Sequence, residues 1–206
     1  MNLVNQVKIL NNKILPKNYF PFKLQYPFFK PQLASEIYGW LKSYEKWSYV
    51  DHDGFSILEE SNLKDNDHLL PKKLDFLTNK TYVNFLMDLL KNKLSIEDNI
   101  VKNKFLVDIH CLNKDQFIGM HNDWDEKNRQ KYRIYIQFGE EDLFKSGGET
   151  VVYPKDKSGE CVIIPAMHNL ATFFEISNDS NHAILPIHQD TKRYSLIYTF
   201  YKEDKL

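Results

Sequence analysis

From residue 105 to residue 201 the chain is a succession of short β-favouring runs separated by turn signals, and this constrains its fold most. Phe105–Leu112, Lys131–Phe138, Thr150–Tyr153, Glu160–Ile164, Ala171–Glu175, His182–Leu185 and Tyr194–Tyr201 are rich in β-branched and aromatic residues. Ser146-Gly147-Gly148, Lys157-Ser158-Gly159 and Ser177-Asn178-Asp179 break them in the way hairpin turns do. Two helical patterns precede them. Leu33, Ile37, Trp40 and Leu41 recur at helical offsets within 31–47. Val83, Phe85, Leu86, Leu89 and Leu90 form a second apolar stripe within 80–93. Residues 1–30, interrupted by Pro16, Pro21 and Pro27, read as short strands and turns over a sheet edge, and 48–75 read as polar loops. Helices followed by many short strands predict an α+β, mainly β, chain. Its expected form is a double-stranded β-helix (jelly roll, cupin-like) with N-terminal helices packed on the outside of one sheet.

With 206 residues and no visible linker, repeat or low-complexity tract, one domain is expected over 1–206. Within it, 1–100 would supply strands and supporting helices, and 101–206 the β-helix core. A hydrophobic content of 42% with 14% aromatic residues is that of a globular chain. The 27 basic and 28 acidic residues nearly cancel, so there is no electrostatic reason to expect a nucleic-acid partner. No run is long and apolar enough for a membrane span, and the first residues lack the continuous apolar segment of a secretory leader; the expectation is a cytoplasmic protein. Cys111 and Cys161 read as core residues or free thiols, not a disulfide.

Against this background His121-Asn122-Asp123 and the later His182 stand out. His121 and Asp123, two apart at a strand's end, would point to one side, and His182 opens a later strand. Two imidazoles and one carboxylate can occupy one face of an octahedral metal and leave three positions open, the ligand set of non-haem Fe(II) oxygenases. Arg193, entering the last strand, is suited to hold a dicarboxylic co-substrate through paired hydrogen bonds. A second His-x-Asp, His188-Gln189-Asp190, has no later histidine and reads as a solvated turn. His52 and His68 fall in polar loops, and His110 and His168 read as structural. Gly147 and Gly148 read as turn glycines with positive φ, not a phosphate cradle.

In their order, His121-Asn122-Asp123, Gly147-Gly148-Glu149-Thr150 leading to Pro154, His182-Ala183-Ile184-Leu185-Pro186-Ile187 and Arg193-Tyr194-Ser195 resemble the 2-oxoglutarate/Fe(II) dioxygenase superfamily, in particular its prolyl-4-hydroxylase-like branch. The resemblance spans about residues 105–201 and leaves the first hundred residues unmatched. It implies that His121, Asp123 and His182 are catalytic iron ligands and that Arg193 binds the distal carboxylate of 2-oxoglutarate. Tyr135 and Ser195 are candidates for further co-substrate contacts. It implies Fe(II), 2-oxoglutarate and O2 as the chemical partners, with ascorbate as an accessory reductant. The branch commonly has a tyrosine nine or ten positions before the first ligand, where this chain has Cys111 and Leu112. The implied reaction is hydroxylation of an unactivated C–H bond in an amino acid, free or peptidyl and proline-like, or a related small molecule. Its partners would thus be a small-molecule or peptide substrate. Trp124 and Arg133 are substrate-contact candidates, although Arg133 reads first as the partner of an acidic neighbour. The N-terminal half and the 124–131 loop are expected to line the substrate opening. The competing readings are a non-catalytic metal- or sugar-binding β-helix, and a cupin-type isomerase or metal hydrolase.

Overall fold

The computed structural model describes residues 3–12, 18–63, 65–97, 100–125, 127, 129–140 and 145–203. Three helices run over Leu3–Asn12 (α1), Pro31–Ser43 (α2) and Lys80–Leu94 (α3). Three strands lie in the first hundred residues, Phe22–Gln25 (β1), Ser48–Asp51 (β2) and Ser56–Asn62 (β3). Eight follow, first Ile100–Leu112 (β4), Phe117–His121 (β5), Gln130–Phe138 (β6) and Thr150–Val152 (β7). The remaining four are Val162–Ile164 (β8), Leu170–Glu175 (β9), His182–Ile184 (β10) and Arg193–Lys202 (β11).

The strands form one curled sheet in the order β1-β9-β6-β11-β4-β3-β5-β10-β7-β8, with β2 paired onto β3. Their pairings are antiparallel. The long strands bury both faces, and side-chain alternation divides them by chemistry. On one face, Phe105, Val107 and Ile109 of β4, Ile134 and Ile136 of β6, and Leu196, Tyr198 and Phe200 of β11 pack into one core with α2 and α3. On the other, Asp108 and His110, Arg133, Tyr135 and Gln137, and Arg193, Ser195, Ile197 and Thr199 turn inward. The helical layer therefore supports the outside of the sheet, as expected, and leaves the inside to chemistry.

Local signals explain the helix ends. Pro31 opens α2, where a fixed φ and a missing N–H cost nothing. The Asn79 side chain caps α3 by accepting from the Thr81 amide at 2.8 Å. Ser95 ends it in the left-handed region at φ 54°.

Several sequence expectations need correction. Residues 3–12 are helical, because Leu3, Val4, Val7 and Leu10 fall on one face and pack against the inner apolar cluster of β1, β8 and β9. Among the described residues, β1 fulfils the expected cover of a sheet edge. The Asn11 side chain both donates to the Leu24 carbonyl and accepts from its amide, at 2.8 Å each, standing in for a neighbouring strand. Pro16 lies outside the described residues. The 48–75 region contains the β2–β3 hairpin; its polarity arises because Ser56 and Glu60 of β3 face a cavity rather than a hydrophobic core. In α3, Phe85 is 59% exposed and Met87 takes its expected place in the core. Cys111 is buried and Cys161 partly so, both free thiols. No helix among the described residues is long and apolar enough to cross a membrane.

Candidate metal centre and its cavity

A cavity of about 370 Å³ opens between the inner face of the long strands and the shorter strands β5, β10 and β7. Around it, His121, Asp123 and His182 bring one ligand atom each to within 4.8 Å of one another. His121 closes β5 and His182 opens β10, and the antiparallel register sets these two residues directly opposite. Asp123 reaches the same point by a route the sequence reading did not foresee. It lies beyond β5 in the left-handed region at φ 59°, so a backbone turn, not strand alternation, aims its carboxylate back. Aspartate tolerates that conformation better than most residues. Asn122 ties this turn to the loop before β10: its Nδ2 donates to the Asn178 carbonyl at 2.9 Å, and Ser180 Oγ donates to the Asn122 carbonyl at 2.8 Å. The His-x-Asp turn and the His182 strand are thereby fixed relative to each other.

The donor set fits a first-row metal. His121 Nδ1 is hydrogen-bonded to the Gly119 carbonyl at 2.9 Å, and His182 Nδ1 to the Ser180 carbonyl at 2.8 Å. A carbonyl only accepts, so each Nδ1 carries a proton and each Nε2 is the ring nitrogen left to face the shared centre. Those Nε2 atoms lie 3.3 Å and 3.4 Å from the Asp123 carboxylate oxygens. Asp123 Oδ2 is 2.6 Å from Arg133 Nη1, yet this buried oxygen makes no aligned hydrogen bond and keeps a lone pair for another partner. Arg133 is itself held by Thr199 Oγ1 and Gln130 Oε1, both at 3.2 Å.

The electrostatics suit a cation. Burial by itself would raise the Asp123 pKa, but the Arg133 guanidinium and the His121 hydrogen bond prevail and hold it well below the usual carboxylate range. Burial pushes His182 down to about 4, reinforced by neighbouring His121 and opposed by Asp123. Burial also opposes protonation of His121, but the hydrogen bond and charge of Asp123 outweigh it and raise its pKa. The centre thus combines an ionised carboxylate, a neutral imidazole and a second imidazole that attracts positive charge.

Deeper in the fold, Arg193 is 0% exposed. Its Nη1 donates to Ser195 Oγ at 2.8 Å, while Nε and Nη2 have no acceptor. Burial lowers its pKa to about 10, against the pull of Tyr135 and Glu149. Gly148, at φ 77°, makes room for it, since a Cβ there would meet Arg193 Cδ at 2.9 Å. The guanidinium carbon is 5.9 Å from the centre of the Tyr135 ring, whose hydroxyl donates to Thr150 Oγ1 at 2.8 Å. Gln137, opposite Ser195 in the sheet, is also 0% exposed, with both side-chain amide atoms unpartnered. Thr172, opposite Tyr135, has an unpartnered hydroxyl as well. Buried polar atoms normally find partners, so this group of orphans fits a polar guest with oxygen acceptors.

Of the residues singled out from the sequence, the structure brings His121, Asp123, His182, Tyr135, Ser195 and Arg133 to the cavity wall. Arg193 lies below it against Ser195. Trp124 is 42% exposed and stands outside the lining. Residues 126 and 128 of its loop lie outside the described residues. The His188–Asp190 segment is an exposed turn, and His168 Nδ1 bonds the Gly139 carbonyl within an aromatic contact with Phe138. His110, read as structural, instead lines the cavity, as do Glu60, Ser56, Thr150 and His52, the last an exposed loop residue at its wall. Alternation along β4 carries the signal: Val107, Ile109 and Cys111 face the helices, so His110 must face the other way. Cys111, which stands where the resemblance would have a tyrosine, points into the core.

Residues 107–201 match the family model described as the 2OG-Fe(II) oxygenase superfamily. Among solved structures, the chain resembles a prolyl-4-hydroxylase from Pseudomonas putida at 13% identity, covering 98% of this chain and 100% of that one, with a TM-score of 0.69. A prolyl hydroxylase from Trichoplax adhaerens, solved with a hypoxia inducible factor oxygen degradation domain peptide, is 13% identical over 96% of this chain and 91% of that one, TM-score 0.71. The viral collagen prolyl hydroxylase from Paramecium Bursaria Chlorella virus-1, in its 2-oxoglutarate complex, is 15% identical over 87% and 96%, TM-score 0.59. At these identities the likeness is one of fold. No curated protein sequence matches the chain.

Proposed function

We propose that this chain, whose residues 107–201 match the 2OG-Fe(II) oxygenase superfamily model, is such an oxygenase and hydroxylates an aliphatic C–H bond of an amino acid, free or within a peptide, or of a related small molecule. The observation that carries this reading is the convergence of His121, Asp123 and His182, with both Nδ1 atoms engaged by backbone carbonyls and both Nε2 atoms facing the Asp123 carboxylate. In this reading those three side chains hold Fe(II). When bound, the metal supplies O2 activation coupled to oxidative decarboxylation of 2-oxoglutarate.

The chain's own residues account for the rest. Arg193, with two unpartnered nitrogens in a dry pocket, holds the distal carboxylate of 2-oxoglutarate, and Ser195 fixes the guanidinium. Gln137 and Thr172 offer further polar contacts within the same interior. Tyr135, held by Thr150, stiffens the wall between co-substrate and metal. Arg133 keeps Asp123 ionised and oriented, a supporting role rather than a substrate contact. Phe174, Ile184 and Ile197 give the cavity an apolar wall that excludes water from the reacting centre. A β-helix used only for recognition gives no reason to bury Arg193 half-paired.

The test is metal and co-substrate binding followed by turnover. The wild-type protein is expected to bind one Co(II) per chain, to change its Co(II) spectrum on adding 2-oxoglutarate, and to form succinate with Fe(II) and O2. Asp123→Ala should lose all three while retaining its fold by circular dichroism. Undiminished Co(II) binding by Asp123→Ala would overturn the assignment.

A further inference from the structure

One carboxylate on the cavity wall, that of Glu60, has no lysine or arginine partner among the described residues. Among the described residues that line the cavity, Asp123 and Arg133 pair with each other at 2.6 Å, and Arg133 is committed further to Thr199 and Gln130. Glu60 has no such cation. Its cross-strand neighbours are Ser48 on β2 and His110 on β4. Its ion-pair contact among the described residues is His110 Nε2 at 3.8 Å, beyond hydrogen-bonding distance. That imidazole is no counter-ion, because burial pushes its pKa down to about 3.

Glu60 is nevertheless set into the cavity. The register aligns Glu60 of β3, His110 of β4 and Ser195 of β11 in one row across the sheet, and all three line the same space. Its side chain is 49% exposed, so the carboxylate is open to a visiting group. Leu58, Ile118 and Ile184 form an apolar surface beside it. A carboxylate without a cation, beside an aliphatic wall, complements a molecule with a positively charged head on an aliphatic stem.

We propose that Glu60 is a specificity-determining residue that anchors a cationic group of the prime substrate, so that the molecule oxidised bears an amine or guanidine. The inference rests on the oxygenase reading above and narrows its substrate class. An ammonium or guanidinium head takes the hydrogen bonds that Ser48 and His110 leave unmade, and the aliphatic stem runs along Leu58 and Ile118 toward the metal centre. Neutral and anionic analogues lose that anchor, and an anionic one is repelled.

Calorimetric titration of the Co(II)- and 2-oxoglutarate-loaded protein tests this with three probes of equal length: butylammonium, butanol and butyrate. Butylammonium is expected to bind at least tenfold more tightly than either of the others. In Glu60→Gln that preference should fall below threefold, and Glu60→Asp should restore part of it. The 2-oxoglutarate affinity of each variant shows that the cavity is intact. Absence of butylammonium binding, equal binding of the three probes, or an undiminished preference in Glu60→Gln would each overturn the proposal while leaving the oxygenase reading standing. Failure of the wild type to take up Co(II) or 2-oxoglutarate would instead remove the oxygenase reading, and this inference with it.

Discussion

Replacing Arg193 by methionine should make the unliganded protein more stable and the enzyme worse. Arg193 is 0% exposed, and two of its three guanidinium nitrogens lack a partner. Each unsatisfied buried polar group costs about 1–3 kcal/mol, more where charge is involved. Its one hydrogen bond, to Ser195 Oγ at 2.8 Å, returns about 1.5–3 kcal/mol. Methionine fills nearly the same volume without polar atoms, as in replacements of buried charges that stabilise by about 1–4 kcal/mol. With Ser195 left to find a new partner, the net gain should be on the order of 1–2 kcal/mol. For a chain of this size that raises the unfolding midpoint by about 2–8 °C, at 2–4 °C per kcal/mol. Binding of 2-oxoglutarate should move the other way, since losing a charged buried contact costs about 2–5 kcal/mol. That is a loss of about 30-fold to several thousand-fold in affinity. Thermal unfolding of metal-free Arg193→Met, set beside 2-oxoglutarate titrations of its Co(II) form, measures both. A variant that is less stable without ligand, or that binds 2-oxoglutarate like the wild type, would refute the reasoning.

Two further predictions concern the walls of the site. Gly119 lies under the β2–β3 hairpin, where a Cβ would strike the Phe55 carbonyl and lie 2.7 Å from its ring; Gly119→Ala should cost about 1–3 kcal/mol in urea unfolding, and a cost under about 0.5 kcal/mol would show that the hairpin is not seated there. His110 has a folded pKa lowered from 6.5 to about 3, so its contribution to stability is full above about pH 6.5 and declines as the pH falls toward 3, at up to about 1.4 kcal/mol per pH unit. His110→Gln should flatten the wild-type dependence in that window in denaturant titrations at successive pH values, and an unchanged slope would count against a neutral, partly buried imidazole.

The amino-acid sequence by itself determined the β-rich core, the two helices on its outside and the candidate metal-ligand set. Each of these depends on local order. Alternation and turn residues mark β4 through β11, and His121-Asn122-Asp123, His182 and Arg193 are recognisable by their order along the chain. Local order was misleading wherever a residue answers to a distant neighbour. Ser56 and Glu60 read as loop residues because a strand facing a polar cavity lacks the hydrophobic alternation of a strand facing a core. Phe85 read as buried because its helical spacing fitted, although only packing decides which side of α3 meets the sheet. Asp123 was expected to converge with His121 by strand geometry, whereas a left-handed turn does it. Only the tertiary structure sets Gln137 opposite Ser195 and Thr172 opposite Tyr135, and places Glu60 on the cavity wall with no lysine or arginine partner among the described residues. Unmet hydrogen bonds and unbalanced charges are properties of an enclosed space, and that space forms only when strands far apart in sequence close around it.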